Sequence, residues 1–471
     1  MKDKKVFYLV ILGIAIGALS FFSTGTVFIL LLASLAYFAI HCFSGADERN
    51  FLKAVFITGF ALRAMFSLFQ DGAVLIFVPS AVIGEVENPS PINDSYYNLI
   101  HENTRSFLKM SDSDYVSARG YIYSAVAKGM DNVVTRHYIK VGWDYGWHGY
   151  LYIVGSFYYL FGYSPIAVKF INCLLGALLA IAAYAIGNNF SKNIGRISIL
   201  LVMFFPSLFL WSTTNLKDTF LSLSAVVLLW LVIRFLKTKK LSFLAGIAMC
   251  IFVQGSFTKR DLWLLSMGII IFTGLFILFL MLKKKWLLAW VFAIFIILNP
   301  LNLRDTLHAE ARSTLYRLYV IHCGFITTPG VNYRILDEKY YLNQDLLYNI
   351  PFLEVIKSIG RAIFHFMFEP LPGRILGSSS SIALPQMLIW YFLIPFMLLG
   401  VLRGIRLNYL TAVPILIYSF LFAFSLSLFS GNVGTVFRHR DMLTSFFLIL
   451  SAIGLDSFFK LKGEKTHESI F

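Results

Sequence analysis

Charged side chains are scarce: Asp, Glu, Lys and Arg make up 14% of the 471 residues, against about 25% in soluble domains. With 58% hydrophobic residues, that scarcity excludes a soluble multidomain protein. Cysteine is scarcer still. Cys42, Cys173 and Cys250 lie in or beside apolar runs and Cys323 stands alone in a polar segment, which argues against a disulfide framework or a cysteine metal site. No internal repeat is visible, so the signature of an inverted-repeat transporter is missing. Acidic residues are outnumbered 25 to 40, leaving a net charge of +15. In a soluble chain that excess would suggest nucleic acid. Here Lys and Arg collected on cytoplasmic loops account for it, and no nucleic-acid partner is expected.

What the chain does contain is long apolar runs. Stretches of about 18 residues or more recur, the length needed to cross about 30 Å of hydrocarbon. The expected fold is an all-α polytopic membrane protein with about twelve transmembrane helices, at 6–22, 26–43, 51–70, 165–187, 196–213, 218–238, 241–257, 261–282, 285–300, 386–404, 408–430 and 441–459. The opening "MKDKKVFYLVILGIAIGALSFF" has the basic head and apolar body of a signal peptide. Its apolar run is long, however, and no small-residue cleavage site follows, so it reads as a retained first helix.

With the N-terminus in the cytoplasm, the inner loops receive "KDKK", "ADERNFLK", "SKNIGR", "RFLKTKK", "LKKK", "RGIR" and "KLKGEK". That is about nineteen Lys and Arg against about five on the short outer loops, as the positive-inside rule requires. An even number of spans returns the C-terminus to the cytoplasm. The expected location is the cytoplasmic (inner) membrane, with membrane lipids as surroundings. The stretch "WHGYLYIVGSFYYLFGY" at 147–163 is apolar enough to span, but counting it would invert every later loop. It is placed as a helix in the outer interface, where Tyr and Trp are at home.

Four parts follow: an N-terminal transmembrane hairpin (1–50), a core of spans (51–300) that includes an extracytoplasmic loop at 71–164, a second extracytoplasmic segment (301–385), and C-terminal spans with a short cytoplasmic tail (386–471). The two long segments mix polar residues with aromatics and short amphipathic pieces, such as "PFLEVIKSIGRAIFHFMF". Loops this long are usually functional.

The informative residues are ionisable groups that orientation does not explain. Asp94, in "NPSPINDSYYNLI", follows Pro89 and Pro91 and can cap a helix beginning at Ser95. The same position suits a general base, because a helix N-terminus keeps a carboxylate ionised and aimed. Three short turns carry basic residues on the outer side, against the bias: Lys217 beside Asp218 in "STTNLKD", Lys259 and Arg260 in "GSFTKRD", and Arg438 and Arg440 around His439 in "FRHRD". Each taken alone reads as a solvated turn. Three on one face point to a shared anion, and Arg forks with Lys point charges suit phosphate oxygens. Arg63, near the outer half of its span, either snorkels outward or faces the same anion. Asp144 and His148 in "WDYGWHGY" suggest a sugar-stacking platform, with an interfacial aromatic belt as the plainer reading. Three His (His101, His137 and His148) fall in the first outer loop. No His and carboxylate spacing makes a strong zinc motif, so a divalent metal ion beside Asp94 stays an open reading.

The order of these features resembles a known group. An Asp in the first long outer loop is followed by "YLFGYSPIAVKFINCLLGALLAIAAYAIGNNFSKNIGRISILLVMFFPSLFLWSTTNLKD", and the chain closes on "FRHRDMLTSFFLILSAIGL". Both resemble the integral-membrane glycosyltransferases of the GT-C superfold, which include protein O-mannosyltransferases and lipid A aminoarabinose transferases. The resemblance covers roughly 51–299 and 386–459. It implies a transferase that takes sugar from a polyprenyl-phosphate-linked donor, with Asp94 in the place of the family's base, Asp218 in that of its acidic residue after the Pro, and Lys259 in that of its outer Lys. Two departures stand out: many members have paired acids where this chain has Asn93, Asp94 and Ser95, and two spans precede the one matching the family's first helix. The chemistry agrees with the residues: a carboxylate to deprotonate an acceptor hydroxyl, and cations for the departing phosphate. The acceptor would be a lipid, glycan or protein. Two other readings stay open: an O-antigen-type polymerase or ligase, and a transporter or flippase of an anionic lipid-linked glycan.

Overall fold

A computed structural model of the chain describes residues 24–77, 112–129, 148–257, 303–327, 331–371 and 384–468. The described residues are nearly all helical and form no strand beyond one isolated bridge between Asn332 and Asn432. Six stretches are long and apolar enough to cross a membrane: Thr24–Cys42, Ala46–Gln70, Pro165–Gly187, Asp218–Thr238, Pro385–Phe429 and Val433–Lys460. Further apolar helices are shorter, such as Ser242–Phe257. The expected spans at 6–22, 261–282 and 285–300 lie outside the described residues.

The chain divides into two compact units. The first comprises Met1–Ala185, Arg196–Trp230 and Leu244–Trp263. Its helices in chain order are α1 (Thr24–Phe43), α2 (Ala46–Phe77), α3 (Asp112–Ala127), α4 (His148–Phe161), α5 (Pro165–Gly187), α6 (Lys192–Phe204), α7 (Pro206–Trp211), α8 (Asp218–Thr238) and α9 (Ser242–Phe257), a few of which run on into the second unit. Helix α5 begins with Pro at its first position, where a missing N–H costs nothing, and buries Ala167, Cys173, Ala177, Ala180 and Ala183 completely. Small side chains let neighbouring backbones approach, which is how helices associate when lipid removes the hydrophobic incentive. Helix α4 has 14 residues, about 21 Å, too short to span. It packs against α3 through aromatic pairs such as Tyr123 with Tyr152.

The expected single span at 196–213 is two helices, α6 and α7. Pro206 has no N–H to donate, and it forces Phe205 into extended backbone (φ −65°, ψ 124°). A hydropathy average passes over that break, because nearly every residue around it is apolar.

The second unit comprises Ile186–Gly195, Leu231–Phe243 and Leu264–Phe471. Beyond the ends of α5, α6, α8 and α9, it contains α10 (Leu303–Ile326), α11 (Lys339–Leu342), a 3-10 turn (Gln344–Asn349), α12 (Phe352–Phe368), α13 (Leu384–Phe429) and α14 (Val433–Glu468). Asn408 is extended (φ −159°, ψ 88°) and divides α13 into two helical parts, matching the expected spans at 386–404 and 408–430. Helices α13 and α14 pack closely because Gly400 faces the Leu450 carbonyl and Gly454 faces the Phe396 carbonyl. A methyl group at either site would collide with backbone.

Candidate active site

In the first unit, polar chemistry gathers on the turn between α7 and α8. Ser212, Thr213, Asn215 and Asp218 are buried in it, and neighbouring helices hold it at almost every residue. Thr213 Oγ1 donates to Gln70 Oε1 at 3.2 Å. Asn172, an amide inside apolar α5, donates to the carbonyls of Thr214 at 2.6 Å and Leu216 at 3.0 Å. Tyr150 of α4 donates to Asn215 Oδ1 at 2.7 Å, and Asn215 Nδ2 donates to Ser117 Oγ of α3 at 2.8 Å. Buried polar groups need partners, and these bonds restrain the turn, although Asn172 Oδ1 has no partner among the described residues. Burial, then the nearby Asp218 charge, pushes the Tyr150 hydroxyl up, so it remains a donor. Asp218 is the first residue of α8, where the helix dipole favours a carboxylate.

Arg63 anchors the start of this turn. Its guanidinium is buried, 1% exposed. It donates from Nε to Ser212 Oγ (2.7 Å), from Nη1 to the Gly59 carbonyl (3.1 Å) and from Nη2 to the Met203 carbonyl (2.7 Å). Met203 is in the last turn of α6, where carbonyls have no helical partner. Gly176 makes room, since a Cβ there would stand 2.6 Å from Ser212 Cβ and 2.9 Å from Arg63 Nε.

Lys217 closes the other end. Its Nζ donates to the Phe257 carbonyl at 2.8 Å, and Phe220 lies 4.9 Å from Phe257, ring centroid to centroid. Phe257 is two positions before Lys259 in the sequence. The basic turn "NLKD" is therefore tied to the end of the helix that leads into "FTKRD".

In the second unit, Arg440 is equally buried. Its Nη1 donates to the carbonyls of Phe366 (3.3 Å), Met367 (3.3 Å) and Glu369 (2.8 Å), and the guanidinium lies over the Trp390 and Phe437 rings. Glu369 is wholly buried: Oε1 accepts from His365 Nδ1 at 2.9 Å, and Oε2 from the Leu371 N–H at 3.0 Å. The Tyr333 ring stacks on His365, with centroids 4.3 Å apart. His322 is held at both nitrogens, by the Ser430 carbonyl (2.7 Å) and the Tyr341 hydroxyl (3.1 Å). Burial lowers its pKa to about 4, which makes it a neutral structural histidine.

Of the residues expected from sequence, Lys217 and Asp218 lie on one turn, and Arg63 of α2 bonds to its first residue, Ser212. Arg440 points into the protein, while Arg438 is half-buried on α14. His148 opens α4. Asp94, Asp144, Lys259, Arg260 and the His148 side chain lie outside the described residues. Among the described residues, no group of three or more His, Cys, Asp or Glu could hold a metal ion; a site at Asp94 with His101, His137 and His148 falls outside them. Sequence reasoning missed Asn172, Tyr150, Asn215, Glu369 and His365. Asn172 carried a signal, an amide in the middle of an apolar span, and His365 with Glu369 carried another, an i,i+4 pair.

No curated protein and no solved structure matches the chain. One family model does match, over residues 149–302. That range contains the whole α7–α8 turn, its anchors Tyr150 and Asn172, and the Phe257 carbonyl that receives Lys217. The chain is an integral membrane protein, and its residues 149–302 match the family described as dolichyl-phosphate-mannose-protein mannosyltransferase, a GT-C type glycosyltransferase domain.

Proposed function

We propose that the protein moves a sugar from a polyprenyl-phosphate-linked donor to an acceptor hydroxyl on the extracytoplasmic face of the membrane. The observation that supports this most is the Lys217 anchor: inside the matched segment, the turn that carries Lys217 is bonded to the end of the helix that precedes Lys259 and Arg260 in sequence. Lys217, Lys259 and Arg260 would hold the donor phosphate. Arg440 acts at one remove, since its donors hold backbone carbonyls. Asp94 would take the proton as the acceptor oxygen bonds to the anomeric carbon with inversion. The bond from that carbon to the phosphate oxygen breaks, and its electron pair leaves on the phosphate, where the cations offset the charge. Asp218 would support the cation site from the α8 N-terminus, while Asp144 and His148 would face the sugar.

The test is Asp94→Asn, assayed with a short-chain mannosyl-phosphoryl polyprenol in nanodiscs. Transfer should fall by at least about a hundredfold, the scale of a lost general base, while donor binding is retained. Wild-type turnover by the variant removes Asp94 from the mechanism.

A further inference from the structure

The second unit contains two histidines with opposite assignments. His322 has both nitrogens committed and no exposed surface. His365 has one committed. Its Nδ1 faces the Glu369 carboxylate at 2.9 Å, so that nitrogen carries the hydrogen, and in the neutral ring Nε2 presents a lone pair. Nε2 makes no hydrogen bond among the described residues, and the His365 side chain is 14% exposed. Glu369 is held in place: both its oxygens are bonded, and its backbone carbonyl accepts from Arg440. A buried carboxylate that fixes an imidazole's tautomer and orientation is the usual support for a histidine that acts through its other nitrogen.

A second group lies beside it. Tyr333 is 3% exposed and stacked on His365, and its hydroxyl has no hydrogen-bond partner among the described residues. A buried hydroxyl without a partner costs about 1–3 kcal/mol. Burial, then the Glu369 charge, raises the Tyr333 pKa, so the group stays a protonated donor. The site thus offers one fixed acceptor, one fixed donor and an aromatic edge at Phe364, whose ring centroid lies 5.7 Å from that of His365. The cations near it are committed elsewhere, since Arg440 is spent on carbonyls and Arg361 faces Asp337 and Glu354.

We infer that His365 and Tyr333 form a hydroxyl-recognition subsite for a carbohydrate, with Glu369 and Arg440 as positioning residues. In its neutral form the imidazole sets an acceptor beside the Tyr333 donor and the aromatic rings, which suits a sugar's vicinal hydroxyls and offers a phosphate little. The choice of ligand rests on the glycosyltransferase reading, and the sugar could belong to the acceptor or to the donor.

The test reads binding, not turnover. The full chain in nanodiscs is treated with diethyl pyrocarbonate, which acylates neutral imidazole, and labelling is followed residue by residue by mass spectrometry. His365 should label and His322 should not; equal labelling of the two overturns the assignment. Mannobiose or farnesyl-phosphoryl mannose should slow His365 labelling, and farnesyl phosphate should not. Protection by mannobiose assigns the subsite to the acceptor, and protection by the mannosyl lipid alone assigns it to the donor sugar. Either outcome upholds hydroxyl recognition, whereas protection by farnesyl phosphate, or by no probe, overturns it. Tyr333→Phe keeps the ring and should raise the protecting concentration about fivefold, the worth of one hydrogen bond. Protection that persists while Asp94→Asn retains full turnover would sink the transfer mechanism and leave the subsite standing.

Discussion

Each unit keeps one arginine fully buried in a stretch long enough to span the membrane, among the described residues, and each guanidinium turns partly to backbone oxygen. Arg63 in the first and Arg440 in the second are each 1% exposed, and both solve the problem of a buried cation with carbonyls. The carbonyls chosen belong to helix ends. Arg63 meets Met203 at the end of α6, and Arg440 meets Phe366 and Met367 at the end of α12. A helix C-terminus carries partial negative charge and unpaired acceptors, so one guanidinium satisfies the helix while the helix stabilises the cation.

The difference between them lies in completeness. At α12 all four terminal carbonyls are accounted for: His365 by the Glu369 N–H, Phe366 by Arg440, Met367 by Arg440 and the Trp390 indole, and Phe368 by the Tyr391 hydroxyl. At α6 Arg63 spreads its donors over one end carbonyl, its own helix at Gly59, and the Ser212 hydroxyl. Arg440 is thus a helix cap, whereas Arg63 joins a helix end to a polar turn.

Removing each side chain tests that distinction. Arg440→Met should have the largest effect, a loss of about 3 kcal/mol from carbonyls left buried and unpaired, read as a lower melting temperature in detergent. Arg63→Met should cost less stability and more activity, because it releases the turn that carries Lys217 and Asp218. Equal losses of stability with activity intact in both would erase the contrast.

The same two arginines mark the boundary of what was legible in the sequence. Apolar runs gave most of the helices, since about 18 residues are needed to cross hydrocarbon whatever the tertiary structure. They hid the break at Pro206, because hydropathy does not register a missing N–H. Lys217 and Asp218 stood out as charges against the orientation rule and lie in one turn, and Arg63 reaches that turn from α2 through Ser212. Their partners could not be read, because Met203, Ser212 and Phe257 offer backbone or hydroxyl oxygens far away in sequence. The same holds for Arg440: its place in "FRHRD" suggested an anion, and its carbonyls lie more than seventy residues earlier.

A second contrast is acid sensitivity. Burial holds the His322 pKa at about 4 against an ordinary 6.5. A base whose folded pKa is depressed gives stability that is complete above pH 6.5. That stability falls as pH drops toward 4, because the unfolded chain gains the proton first. Between pH 7 and pH 5 the second unit should lose about 2 kcal/mol. His322→Asn should flatten that part of the profile, and thermal unfolding followed at several pH values would show it. An unchanged slope would mean His322 is not the group responsible.

The smallest effect should come from an arginine held by a carboxylate instead. Arg196 makes two hydrogen bonds to Glu48, Nε to Oε2 at 3.0 Å and Nη2 to Oε1 at 2.9 Å, the parallel geometry in which a guanidinium binds a carboxylate best. Its side chain is nevertheless 44% exposed, so water competes for the charge and little depends on the pair. Glu48→Gln should therefore shift the melting temperature less than either arginine substitution, and the shift should shrink further as salt is raised to about 0.5 M, where the screening length falls to a few ångströms. If Glu48→Gln instead proves as damaging as Arg440→Met, ion pairing would outweigh helix-end capping as a source of stability, and the likeness between Arg63 and Arg440 would be incidental.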